Sequence, residues 1–180
     1  MDTIFLTGLT GSLILVLGAA WTNIGDPKRP AKSIKNWLFA IGGLVMLLYS
    51  ILGYQNGGPI FFVFLEILVV IASILMMLHI DDRIDTGIIS FSGVALIIWS
   101  LSLFEGYNTI LFILGLAAVG LGYAFDNGTL RRDFTLTFGS ALIAFFSYLE
   151  MSWTFFWLNV FFAIFSGYYL ARNLHKHHEI

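Results

Sequence analysis

Glu66 sits in the run FFVFLEILVVIAS with no charged residue for fourteen positions on either side. Seven residues on, two helical turns further along the same face, comes Ser73, and Phe62 stands one turn before. A second run, WTFFWLNVFFAIFSG, carries the same spacing with an amide in place of the acid: Phe155, Asn159, Ser166. A charged side chain at the centre of an apolar helix costs at least about 2.5–3.5 kcal/mol on insertion scales, so such residues face a cavity or a partner. No Lys, Arg or His lies inside the apolar stretches to pair with Glu66. The neutral acid is then the cheaper form to bury. Glu66 could bind a cation or a solute hydroxyl, carry a proton in coupled transport, or simply donate one hydrogen bond to a neighbouring helix carbonyl or to Asn159.

The elements that must hold these groups are apolar helices. Of 180 residues 58% are hydrophobic and 11% charged, against about 25% charged in ordinary soluble domains. Stretches long enough to cross a bilayer fall at 3–21, 37–54, 58–78, 87–104, 108–125, 134–151 and 153–171. Gly53, Asn56, Gly57 and Gly58, then Gly106 and Asn108, mark tight turns, and Pro59 fits the first turn of a helix. All nine Lys and Arg residues fall on one side of this arrangement: Lys28, Arg29, Lys32, Lys35, Arg83, Arg131, Arg132, Arg172 and Lys176. The other side holds only Asp2, Glu105 and Glu150. The positive-inside rule then places the N-terminus outside and the C-terminus in the cytoplasm. The first stretch lacks a positive n-region and opens with Asp2, so it reads as a retained helix and not a signal peptide.

The two halves align. The third and seventh stretches match at an offset of 93, which places Glu66 on Asn159. The second and sixth match at 97, with Gly42 on Gly139 and Ser50 on Ser147; the first and fifth match at 104, with Gly11 on Gly115 and Gly18 on Gly122. The fourth stretch has no counterpart. The expected fold is an all-α polytopic membrane protein of seven transmembrane helices in a 3+1+3 parallel repeat. Residues 1–80 form the first three-helix bundle, 81–105 a linker helix, 106–174 the second bundle and 175–180 a cytoplasmic tail.

This organisation resembles the SWEET and PQ-loop superfamily, which includes SWEET sugar transporters, PnuC-type vitamin transporters and the KDEL receptors. The runs NIGDPKRPAKSIKNW and SYLEMSWTFFWLN are also similar to a poorly characterised bacterial inner-membrane family within that group. The chain departs from the superfamily in lacking its Pro-Gln pair; Gly42–Gly43 and Gly139–Ser140 stand in the second and sixth stretches instead. In SWEET-like transporters an asparagine on the third helix of each bundle lines a central site. The resemblance puts Asn159 in that role and Glu66 at the matching position of the first bundle.

Depth agrees with this without the family. Glu66 lies eight residues past Gly58, about 12 Å into the membrane, and Asn159 six or seven residues into its helix, about 10 Å. Tyr49 falls on Phe146 at the offset of 97 and is a weaker candidate, able to reach a solute or to pack. The expected substrate-binding set is therefore Glu66, Asn159, Ser73, Ser166, Tyr49, Phe62 and Phe155, edged by aromatic rings.

Other features read as structural. The small residues Gly115, Ala118 and Gly122 allow close helix approach. Trp99, Trp153 and Trp157 fit membrane interfaces. The run DDRID at 81–85 lacks the ligand ladder of a calcium loop, and the tail HKHHEI has no second ligand set for a metal. There is no cysteine, no phosphate-binding Gly loop, no His-Glu-x-x-His and no Gly-x-Ser-x-Gly. The sequence therefore predicts no enzyme, no cofactor, no metal and no nucleic-acid partner. It predicts a multi-pass protein of the inner (plasma) membrane, monomer or homodimer, whose partners are the lipid bilayer and a small polar solute of the sugar, nucleoside or vitamin class. Transport would run by alternating access at a midplane site, with a proton coupled through Glu66. The alternative is a non-transporting receptor or structural membrane protein of the same fold.

Overall fold

A computed structural model describes residues 3–21, 30–78, 80–126 and 128–178, with side chains described outside positions 30 and 176–178. Lys28, Arg29 and the side chain of Lys176, used above to orient the chain, lie outside what is described, as do the other side chains of the HKHHEI tail after His175. The described residues form seven α-helices: α1 Thr3–Ala20, α2 Ile34–Gln55, α3 Phe61–Leu78, α4 Asp82–Ser102, α5 Tyr107–Ala124, α6 Leu130–Leu149 and α7 Trp153–His178. One turn of 3₁₀ helix, Pro30–Lys32, precedes α2.

Six of the seven, all but α6, are long and apolar enough to cross a membrane, which makes this a multi-pass membrane protein by length and composition. The sequence predicts seven. α6 has the length, 20 residues, but opens with Arg131, Arg132 and Asp133, and that polar first turn dilutes its apolar run. The helix begins before the stretch read from hydropathy because Thr129 caps it, accepting from the Arg132 amide at 3.3 Å. Ser33 caps α2 in the same way. Pro59 does not sit in the first turn of α3, which begins two residues later at Phe61. Gly57, at φ 88°, makes the reversal, and the Gly58 amide donates to the Gly53 carbonyl.

The chain forms two compact units, Met1–Asp85 and Thr86–Ile180. In the first, α2 is the middle helix and packs along both α1 and α3. A Cβ on Gly42 would stand 2.8 Å from Leu15 Cγ, and one on Gly11 would stand 2.9 Å from Met46 Cγ, so the absence of side chains sets the α1–α2 spacing. Asn36 Nδ2 donates to the Met76 carbonyl at 3.2 Å and joins the start of α2 to the end of α3.

In the second unit α6 is the middle helix, packed along α5 and α7. Its close approaches are Gly115 against Ile143 and Gly139 against Val119, where added methyl groups would stand at 2.7 and 2.8 Å. Phe112 and Phe146, both fully buried, meet with ring centroids 5.2 Å apart. α4 joins this unit through the Thr86 hydroxyl, which donates to the Ala124 carbonyl.

Candidate functional site

α3 is the most apolar helix of the chain and the most deeply buried. Its β-branched and aromatic residues lose little by being helical here, because burial of nearly the whole circumference outweighs their modest propensity. Glu66 lies a third of the way along it and is 1% exposed. Its Oε2 has no hydrogen-bond partner among the described residues. α3 has no Lys, Arg or His to offer one. An unpaired buried acceptor is expensive, about 1–3 kcal/mol in protein series and more for a charged group.

The other groups of the stripe are placed as their spacing demands. Phe62 is buried one turn before Glu66, and Ser73 is buried two turns after it on the same face. The Ser73 hydroxyl donates to the Val69 carbonyl at 2.7 Å, so its proton is already used inside the helix.

On α7 the matching stripe is less enclosed. Phe155 and Asn159 are buried and Ser166 is half-buried. Asn159 Nδ2 donates to the Phe155 carbonyl at 2.9 Å, which leaves its side-chain carbonyl as the acceptor it can offer. The two stripes thus differ in one respect that matters chemically. The amide satisfies a backbone carbonyl of its own helix, whereas Glu66 keeps an oxygen with no partner among the described residues.

Tyr49 stands apart from the α3 stripe. It shares a face of α2 with Gly42, and its ring lies over Gly8 of α1, where a Cβ would be 2.7 Å from Cε2. The α3 side of α2, marked by Gly43 against Val70, is about 120° away. Among the described residues no group of three or more His, Asp or Glu is placed to hold a metal ion.

Two features were not foreseen from the sequence. Asn173 Nδ2 donates to Asp133 Oδ2 at 2.7 Å, joining the end of α7 to the start of α6, with Asp133 buried. Phe134 and Phe138 stack face to face, 6.2 Å apart with 1° between their planes. The first pair is forty residues apart and has no periodic signal; the second had one, an i, i+4 aromatic pair, which reads equally as core.

No family model, no curated protein and no solved structure matches this chain. The likeness to the SWEET and PQ-loop superfamily therefore rests on the sequence pattern.

Proposed function

We propose that the chain is a small-solute transporter of the SWEET and PQ-loop type, crossing the inner (plasma) membrane seven times in a 3+1+3 parallel repeat with the N-terminus outside. It would work by alternating access, with Glu66 the polar group that the first unit offers a solute and Asn159 the one that the second unit offers. Ser73 and Ser166 would border them, and Phe62 and Phe155 would supply apolar edges for a sugar, nucleoside or vitamin ring. Glu66 is the natural carrier of a coupled proton, being the one acid in the interior of an apolar helix of its unit.

The observation that carries this reading is the unpartnered Oε2 of Glu66, a buried acceptor that a donor from outside the helix would satisfy. The repeat is supported by packing. The close approach of Gly11 to Met46 recurs between Gly115 and Ile143, and that of Leu15 to Gly42 between Val119 and Gly139, each at the offsets of the sequence alignment. For α6, the polar first turn lies at the end where basic residues would meet cytoplasm, leaving Phe134–Leu149 as the apolar part.

A second reading, a non-transporting receptor or structural protein, has its own support: Ser73 and Asn159 both donate to carbonyls of their own helices, as packing residues do.

The deciding experiment is the melting temperature of purified protein against a panel of sugars, nucleosides and vitamins, repeated with Glu66→Gln. A ligand that binds only the folded state raises the melting temperature by mass action. A shift that disappears in Glu66→Gln, followed by uptake of that solute into vesicles, supports transport. No shift with any compound, together with a higher melting temperature for Glu66→Gln, would sink the transport reading and favour the second.

A further inference from the structure

Glu66 is the one titratable side chain of α3. Within its unit the elements packed against α3 are α2 and the 3₁₀ turn Pro30–Lys32. Asn36 of α2 meets Met76 of α3 and Gly43 meets Val69 and Val70, an antiparallel register that puts Met46 level with Glu66. Gly43, Met46 and Ser50, at helical spacing, form the strip of α2 on that side, and Met46 is fully buried. The Ser50 hydroxyl donates to the Leu47 carbonyl at 2.8 Å and the Ser73 hydroxyl to Val69, so neither proton is left for the acid. The other titratable groups stand off. Lys35 is three turns of α2 from Met46, about 16 Å along the axis, and Lys32 lies before the helix. Tyr54 is about 12 Å away in the opposite direction, and Tyr49 turns to Gly8. The charged run Asp81 to Asp85, with Arg83, follows the end of α3, which lies twelve residues or about 18 Å beyond Glu66. Among the described residues of the unit, then, no cation stands level with the acid.

In such surroundings the charge of Glu66 is balanced either by a proton or by a cation that arrives from outside the unit. Solutes of different chemistry fare differently here. An anion would face the carboxyl with no cation to hold it. A sugar brings several hydroxyls, each costly to bury without a partner, to one acid bordered by Phe62, Met46, Val69 and Val70. A metal ion wants several oxygen ligands, and no group of three acids or histidines is placed to supply them among the described residues. A protonated amine on an apolar body brings one positive group with N–H donors for the unpartnered Oε2 and leaves the rest to apolar contact. Phe62, buried one turn before Glu66, is an aromatic neighbour of the kind that attracts cations.

We propose that the solute taken at Glu66 is a protonated amine with an apolar body, and that it enters in exchange for the proton the acid carries when empty. The inference rests on the transport reading of Glu66 and narrows it to a substrate class and a direction of coupling. One positive charge replaces another: the amine keeps its own proton and donates an N–H to Oε2, while the carboxyl O–H breaks and its proton leaves to water. Proton and solute then cross in opposite directions, because a single carboxylate is neutralised by one of them at a time.

The test is binding of benzylamine, benzyl alcohol and benzoate, probes of one shape with a positive, no and a negative charge, and of sodium ion. It uses purified protein in neutral detergent, parent and Glu66→Gln, at about pH 6 and about pH 8, where benzylamine stays protonated as an ordinary amine does. Benzylamine alone is expected to bind in a way that Glu66→Gln abolishes. Its affinity should rise with pH, toward about tenfold per unit for one displaced proton, and an indicator dye in weak buffer should record that proton's release. Benzyl alcohol, benzoate or sodium binding as well as benzylamine, benzylamine binding equally to Glu66→Gln, or no benzylamine binding would each overturn the cation assignment. Affinity that is the same at both pH values would overturn the exchange. Where the cation assignment fails but a sugar, nucleoside or vitamin binds in a Glu66-dependent way, the transport reading stands alone; where no compound of either set binds, both fall. If Glu66→Gln does not fold, Glu66→Asp decides: it keeps the charge and should retain benzylamine binding and its pH dependence, and loss of both in a folded variant would count against the proposal.

Discussion

Gly115 on α5 lies so close to Ile143 on α6 that a methyl group on it would meet the isoleucine Cδ1 at 2.7 Å. The contact is backbone against side chain with no slack, as in the matching pair Gly11 and Met46 of the first unit. Helix association in a bilayer depends on such close packing, since lipid is as apolar as leucine. Gly115→Leu and Gly42→Leu should each destabilise their unit by about 1–3 kcal/mol or more through overpacking. Denaturant-induced unfolding in mixed micelles measures it, and two unaffected variants would disprove the packing account.

Gly93 is the contrasting case. It lies inside α4 with helical backbone, and a Cβ there would meet nothing within 4 Å. Gly93→Ala should therefore raise stability by about 0.5–1 kcal/mol, through the lower entropy of the unfolded chain and better helix propensity. A melting temperature below that of the parent would show that the space is needed.

Met151 turns the chain from α6 to α7 with φ 55°, the left-handed region that side chains other than glycine adopt at about 1–2 kcal/mol. It is also highly exposed, so little packing is lost on truncation. Met151→Gly should stabilise the α6–α7 turn by about 1 kcal/mol, visible as slower unfolding or a higher melting temperature; Met151→Val, β-branched, should do the reverse.

The Asn173–Asp133 bond joins two helix ends around a buried carboxylate. Asn173→Ala removes the donor and leaves the acid unsatisfied, at about 1.5–3 kcal/mol for a hydrogen bond to a charged group. Asp133→Asn retains an acceptor and should lose less. The order of the two melting temperatures is the measurement, and a reversed order would mean that Asp133 is held by something other than Asn173.

Glu66→Leu replaces an unpartnered buried acid with an apolar side chain of similar size. Removal of an unsatisfied polar group from this setting should raise stability by about 1–3 kcal/mol while abolishing any solute-dependent shift. A strongly destabilised Glu66→Leu would show that the carboxyl is held in the native state by a donor that matters to the fold.

Much of the architecture is legible without coordinates, because a bilayer leaves few options. Backbone polar groups must be satisfied within each apolar stretch, so hydropathy alone places helices, and turn residues place their joints. The position of Glu66 inside α3 and its stripe with Phe62 and Ser73 follow from 3.6-residue periodicity in the same way. What periodicity does not carry is the state of each polar atom. Whether a buried group is bare, as Glu66 Oε2 is, or bonded to its own helix, as Asn159 and Ser73 are, depends on side-chain geometry.

Tyr49 shows the same limit: its helix was predictable, but its facing toward Gly8 depends on how α1 and α2 meet. α6 was readable as a helix, yet hydropathy started it at Phe134, and the Thr129 cap draws Arg131, Arg132 and Asp133 into its first turn. The pairing of Asp133 with Asn173 joins residues forty apart. Local sequence determines which stretches are helical and apolar; only tertiary packing decides which polar groups find each other, because that choice is made between helices and not along them.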